Sequence, residues 1–405
     1  MDGQFGAQVY QQLRQLLQQG KDVNQIAKIL CDQDPAGHNY GIGIVLDGNG
    51  KPMATSGTLL EYAMAELQNS RAGNYMNSAA LMEKVKAAVL TWQQIPEKYW
   101  GQFSLALPSD AGTGAVKSAV ELALVLSPQT RALGIEELGW PAYKTIAKVS
   151  RLQTIEFPMD AVIGGDGMLP VYQSGPMNTT GFVQNPATID ARAKDAAERR
   201  AMLILDRAYS GFEFARLVTT ESYHDIMRKS YELQIQPFIE RGVTFALAVS
   251  PTKAFVSFAL RPCGFLLLHN PDASRNQEMT NALNLVMRAR GSSFEHAITR
   301  AFAKAMVNDL ARLEEEHRQA FVRVANAEAL WRDLAQGTPI AHFYGEQYAG
   351  LFRNLKTREG GEIAIYNEHI YPVLDNGRCR QNVTGIPDDE TLARKHAQVF
   401  AAQCY

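Results

Sequence analysis

Three short stretches of the sequence carry side chains suited to covalent and acid–base chemistry. In one, the apolar run Thr244–Val249 ends in Ser250-Pro251-Thr252-Lys253, and Arg261 follows eight residues after the lysine. Most lysines are solvated surface groups. An amine at the end of a buried strand, with hydroxyls before it and a second cation after it, loses part of its preference for the charged form. Such an amine can attack a carbonyl and form a Schiff base. In another stretch, Leu205-Asp206-Arg207-Ala208-Tyr209-Ser210-Gly211-Phe212 follows the apolar run Met202–Leu205. A strand-end Asp is more often a turn or cap residue. A carboxylate and a phenol together where open α/β sheets bind ligands can also meet a pyridine ring nitrogen and its hydroxyl. The third stretch, Pro108-Ser109-Asp110-Ala111-Gly112-Thr113-Gly114, leads from a strand ending at Leu107 into a helix. Free backbone N–H groups and the positive helix end there suit a phosphate, although such a turn is often purely structural. A dinucleotide loop fits less well, because the third glycine is absent at the expected offset.

These residues need strands that end side by side. Short apolar runs alternate with helix-length segments through the middle of the chain, the pattern of βαβ units around a mainly parallel sheet. Strands are expected near Phe103–Leu107, Thr154–Phe157, Gly181–Gln184, Met202–Leu205, Thr244–Val249 and Gly264–Leu268, with helices at Thr113–Leu126 and Ala191–Arg200. After Ser293 the character changes to one long charged helix, Phe294–Gly337, followed by an α+β tail. Two helical patterns, Ala7–Gln19 and Val23–Cys31, precede Gly41-Ile42-Gly43. The expected division is residues 1–54 as a helical arm and part of a small domain, 55–300 as a large domain, and 301–405 as a linking helix and the rest of the small domain. The fold class is therefore α/β, a large domain with a mainly parallel sheet flanked by helices plus a smaller α+β domain built from both chain ends.

The order of Gly112-Thr113-Gly114, Trp140-Pro141, Asn185-Pro186, Asp206-x-Ala208-Tyr209-x-Gly211-Phe212, Ser250-x-Thr252-Lys253, Arg261 and Arg380-x-Asn382-Val383 resembles the fold-type-I aminotransferases that depend on pyridoxal phosphate (PLP), in the aspartate and aromatic aminotransferase branch. The resemblance implies roles for each residue. Gly112, Thr113, Ser250 and Arg261 would hold the cofactor phosphate, and Trp140 would stack on the pyridine ring. Asp206 would pair with the ring nitrogen, while Tyr209 and Asn185 would hydrogen-bond the ring hydroxyl oxygen. Lys253 would carry the cofactor as a Schiff base and then move the substrate proton. Arg380 would take the substrate α-carboxylate in a bidentate pair, beside Gly43. Tyr75 would cross to a neighbouring subunit's phosphate, which implies a homodimer with shared sites. Arg288 would reach the distal carboxylate of a dicarboxylic substrate, also from the partner subunit, with Arg290 as the competing candidate. The implied reaction is amino-group exchange between an aspartate or aromatic L-amino acid and a 2-oxo acid such as 2-oxoglutarate.

The sequence departs from that pattern in places. Asn185-Pro186 lacks the preceding His and the following Thr-Gly that the branch usually shows, and Tyr143 stands where a His commonly supports the ring-nitrogen carboxylate. Apolar Ile44 and Leu46, and Ser293 in place of an Asn, lean towards aromatic substrates. A decarboxylase or lyase using the same cofactor is the alternative enzyme reading. A non-catalytic regulator is the third reading, since Val23–Leu30 is faintly similar to a helix-turn-helix segment. The region before Gly41 is too short and too poor in basic residues to hold a duplex well.

Bulk properties exclude other partners. Forty basic against forty-two acidic residues among 405 give a formal charge of -2, which offers no electrostatic case for nucleic acid or anionic membrane. No apolar run reaches a membrane span and the first twenty residues lack a signal pattern, so a cytoplasmic location is expected. The four cysteines show no metal-ligand spacing, and no metal is expected. The Gln-rich face of the first helical pattern suits a solvated or interface helix.

Overall fold

The computed structural model describes residues 3–69, 79–255, 257, 260, 263–291 and 295–405. Tyr75, Arg261 and Ser293 lie outside the described residues.

The chain opens with two helices, α1 (Gly3–Gln18) and α2 (Val23–Asp32), the latter started by Asp22, whose carboxylate accepts from the amides of Asn24 and Gln25. A short strand β1 (His38–Asn39) follows, then α3 (Gly57–Gln68), capped by Ser56, and α4 (Ala79–Trp92). The central stretch alternates as the sequence pattern requires. It runs β2 (Leu107–Ser109), α5 (Ala111–Leu126), β3 (Ala132–Glu136), α6 (Ala142–Val149), β4 (Gln153–Phe157), β5 (Met168–Gln173), α7 (Pro186–Glu198) and β6 (Leu203–Arg207). It continues with α8 (Tyr223–Gln234), α9 (Gln236–Glu240), β7 (Phe245–Val249), β8 (Gly264–His269) and α10 (Asn276–Gly291).

Seven of these strands form one sheet in the order β2-β8-β7-β6-β5-β3-β4. The five from β7 to β4 run parallel, and β8 runs antiparallel to both β7 and β2. Alternate side chains enter different layers. Leu203, Leu205, Phe245, Leu247, Phe265 and Leu267 pack into one core, whereas Ile204, Ala246, Ala248, Leu266 and Leu268 pack into a second on the opposite face.

A third core joins both chain ends. Val9, Leu13, Ile26, Leu30 and Tyr40 pack with Trp331, Leu355, Ile365, Tyr371 and Phe400. Of the C-terminal elements, α11 (Ala297–Asn308) packs Phe302, Ala303, Ala305 and Met306 into the first core, and the third core is supplied by α12 (Leu310–Ala335), β9 (Phe352–Lys356), α13 (Gly361–Asn367), β10 (Ile370–Tyr371), β11 (Val373–Asp375), β12 (Arg378–Asn382) and α14 (Glu390–Gln403). β1 pairs with β10, and β11, β12 and β9 form a separate antiparallel sheet. Ile26, Ala27 and Leu30 of α2 are buried in this assembly, so the segment that is similar to a helix-turn-helix serves as a packing helix.

Three expectations need correction. Gly181–Gln184 forms no strand; Phe182 makes only an isolated bridge to Tyr348. The sheet instead contains β3 and β5, whose short runs the sequence reading passed over. The expected single helix from Phe294 to Gly337 is two helices, α11 and α12. They break at Asp309, which leaves helical geometry at φ -134° and ψ 35° and accepts a hydrogen bond from the Tyr62 hydroxyl at 2.8 Å.

Candidate active site

Parallel strands end on the same side of a sheet, which gathers the residues at their C-terminal ends. Gln173 ends β5, Asp206 is the next-to-last residue of β6 and its register partner, and Ser250 follows β7 directly. The N-terminus of α5 arrives at the same place. There Gly112 lies so close to Ser250 that a Cβ on it would stand 2.7 Å from the serine Cβ. Asp110 precedes α5 without a side-chain cap bond, so among the described residues the first-turn amides stay open to an anion.

These elements enclose a cavity of about 230 Å3. Gly112, Thr113, Trp140, Asp206, Tyr209, Ser250 and Lys253 line it from the sheet side, and Gly43 and Arg380 from the third-core side. Asn185 is the exception. Its side chain is exposed and accepts from the Thr188 amide as the cap of α7, outside the cavity lining. Asn178 stands in the cavity instead, donating Nδ2 to the Tyr209 hydroxyl oxygen at 2.7 Å. The signal for it was present, since Asn178-Thr179-Thr180-Gly181 carries the Thr-Gly that Asn185-Pro186 lacks. Gln173 and Asn24 also line the cavity, and no sequence motif marked them. Arg288 is exposed at the end of α10, outside the cavity lining, and Arg290 pairs with Glu295 at 3.3 Å.

Burial sets the electrostatics. Lys253 Nζ stands 5.3 Å from the Tyr209 ring centre. Desolvation lowers its pKa below the ordinary lysine value, and the Asp206 carboxylate opposes that shift. Asp206 is itself pushed up by burial, against a hydrogen bond from Tyr143, the charge of Lys253 and the Ala208 amide. The Tyr143 hydroxyl reaches Asp206 Oδ2 at 2.6 Å, and Ala208 N–H reaches Oδ1 at 3.1 Å. Tyr143 therefore fills the supporting position that the sequence comparison marked as altered. Arg380 lies with its guanidinium 4.5 Å from the Phe352 ring centre and donates to the Gly41 carbonyl at 2.6 Å. Its Nε is buried without an acceptor among the described residues. Burial lowers the guanidinium to about 10, opposed by Tyr209 and Asp22. Asn382 Nδ2 ties Ile42 and Ile44 carbonyls at 2.7 Å each, which holds the Gly41–Ile44 segment over the cavity.

A half-buried lysine and a buried carboxylate at parallel strand ends, beside a helix N-terminus, make a polar cavity in an α/β fold. Residues 106–332 match the family model for aminotransferase class I and II, and the chain belongs to that family. Solved structures with the same fold include an aromatic-amino-acid aminotransferase from Burkholderia pseudomallei, covalently bound to pyridoxal phosphate, at 17% identity and a TM-score of 0.77 over 94% of this chain and 96% of that one. The cytoplasmic aspartate aminotransferase from Saccharomyces cerevisiae superposes at 16% identity and 0.75, covering 94% and 97%. A broad-specificity aminotransferase from Leishmania mexicana gives 17% and 0.76, covering 94% and 95%. No curated protein matches the chain.

Proposed function

We propose that the protein is a PLP-dependent transaminase that moves an amino group from an aspartate or aromatic L-amino acid to a 2-oxo acid such as 2-oxoglutarate. The observation that carries this reading is the placement of Lys253, Asp206 and Tyr209 in one cavity against the open N-terminus of α5.

The residues present fit the cofactor. The close approach of Gly112 to Ser250 leaves backbone amides and a hydroxyl where a phosphate needs donors, and Arg261 would add charge. Asp206, buried with few donors of its own, suits a cationic ring nitrogen. Tyr209, with Asn178 in the place first given to Asn185, suits the ring oxygen, and Trp140 the ring face. Bound PLP supplies an aldehyde that joins an amine and an electron-poor ring that withdraws charge from the substrate Cα.

The chain's own groups do the rest. Desolvation shifts the Lys253 amine towards its neutral form, which is the form that attacks a carbonyl or accepts a proton from carbon. Asp206 would pair with the protonated ring nitrogen, and the Tyr143 hydroxyl, bonded to Oδ2, aims the carboxylate and opposes the rise that burial gives it. Arg380, placed over Phe352 and with an Nε that has no acceptor among the described residues, has donors to offer a carboxylate. Gly43 leaves room beside it.

The separate core formed by both chain ends supports a division near residues 54 and 300, with the second boundary falling inside α11 and the first half of α12 still packed on the first core. A homodimer is part of the reading, supported by an exposed apolar stripe on α3. Leu60, Met64 and Leu67 are 42%, 61% and 60% exposed on one face, next to the segment that holds Tyr75. A cytoplasmic location accords with helices of which none, among the described residues, is long and apolar enough to cross a membrane.

The visible spectrum of the PLP-loaded protein tests the function. Addition of aspartate, tyrosine or phenylalanine should convert the absorbance of lysine-bound cofactor to that of its amine form, and 2-oxoglutarate should restore it. A protein that takes up PLP but undergoes neither change is not a transaminase.

A further inference from the structure

Behind Asn178 and Tyr209 runs a buried chain of polar groups that the proposed reaction does not use. It begins at Glu136, the last residue of β3, whose side chain is 1% exposed. Arg192 of α7 meets Glu136 Oε1 at 2.9 Å, and Gln184 Nε2 donates to the same oxygen at 2.7 Å. The Gln173 backbone N–H donates to Glu136 Oε2 at 3.2 Å. Gln173 in turn accepts the Asn178 backbone N–H on its Oε1 at 3.0 Å, and Asn178 Nδ2 reaches the Tyr209 oxygen at 2.7 Å.

Resting on the transaminase reading, we propose that Gln173 is a positioning residue that fixes Asn178 against Tyr209, with the buried Glu136–Arg192 pair anchoring Gln173 from behind. The segment from Ser174 to Gly181 belongs to no helix or strand. Gly175 and Gly181 take φ of 135° and 73° there, a conformation that side chains rarely adopt. Within that segment the Asn178 N–H has no main-chain acceptor, and Gln173 supplies one from a regular strand. A neutral amide suits the position, because Gln173 is the register partner of Asp206 and a carboxylate there would place a second negative charge beside it. The Tyr209 oxygen accepts from Asn178, so its own hydrogen is left for a ligand oxygen on the cavity side.

The substitution Gln173→Met conserves volume and removes the acceptor. In PLP-loaded protein the readout is the pH midpoint of the visible cofactor band, with near-ultraviolet circular dichroism to monitor the fold. Loss of a donor at the ring oxygen raises that midpoint, by about one pH unit. Asn178→Ala should give the same shift, and the double variant no more than either alone. An unchanged midpoint in folded Gln173→Met, or shifts that simply add, overturns the proposal. Gln173→Asn, one methylene too short to reach, carries the same expectations should Met not be accommodated. If the unsubstituted protein shows no visible band with PLP, the transaminase reading fails and this inference fails with it.

Discussion

Lys253 and Asp206 occupy the same buried cavity, and each alters what the other can do. Desolvation lowers the lysine and raises the carboxylate, while their mutual attraction pulls both back towards charge. The loading of PLP into the apoprotein should therefore speed up with rising pH and level off below 10.5, the ordinary lysine value, since only the neutral amine reacts. Stopped-flow absorbance measures this; a midpoint at or above 10.5 would contradict the lowered pKa, and Lys253→Ala should show no covalent band. Tyr143 bears on the same pair. Tyr143→Phe deletes the 2.6 Å hydrogen bond to Asp206, and the dissociation constant for PLP should rise about tenfold, ~1.4 kcal/mol, as read by fluorescence titration. At this scale the sequence was most legible in picking out Lys253, Asp206, Tyr209 and Arg380, far apart in the chain, which the fold brings to one cavity. It misled at Asn185, because an Asn-Pro pair is also a strong helix start, with Asn as the cap and Pro in the first turn. Asn178 stands beside Tyr209 instead, in a segment that belongs to no helix or strand.

Among the elements, β3 and α7 matter beyond their packing, because the Glu136–Arg192 pair that joins them is almost wholly buried. A buried pair adds little net stability, but removing one partner strands a charge in a dry interior. Arg192→Ala should cost ~3–5 kcal/mol in urea unfolding, whereas exposed pairs such as Lys194–Glu198 should cost under ~1 kcal/mol. The strands β6, β7 and β8 were legible as apolar runs, being buried on both faces. β3 and β5 were not, because Gly134 and Pro170 interrupt their runs and neither residue favours a strand interior. The break between α11 and α12 was hidden as well, since Asp309 is unremarkable in a charged helix until Tyr62, nearly 250 residues earlier, supplies its hydrogen bond.

For the whole molecule, the apolar face of α3 and the twofold arrangement proposed for it can be separated from the chemistry. Met64→Asp should shift the mass in light scattering from two chains towards one, with the far-ultraviolet spectrum intact. An unaltered monomer in both proteins would remove that interface. The core shared by both chain ends has a different consequence, in time rather than space. Val9, Leu13 and Ile26 are synthesised early, yet their buried neighbours Trp331, Ile365 and Phe400 come some three hundred residues later. During synthesis the sheet can assemble as its strands emerge, but α1 and α2 must wait with apolar faces open until nearly the last helix has left the ribosome. Arg380 takes its place by the same late closure, so the side of the cavity proposed for a carboxylate is completed after the side, at Gly112 and Ser250, proposed for the phosphate. A nascent chain should thus be able to hold PLP before it can hold an amino acid.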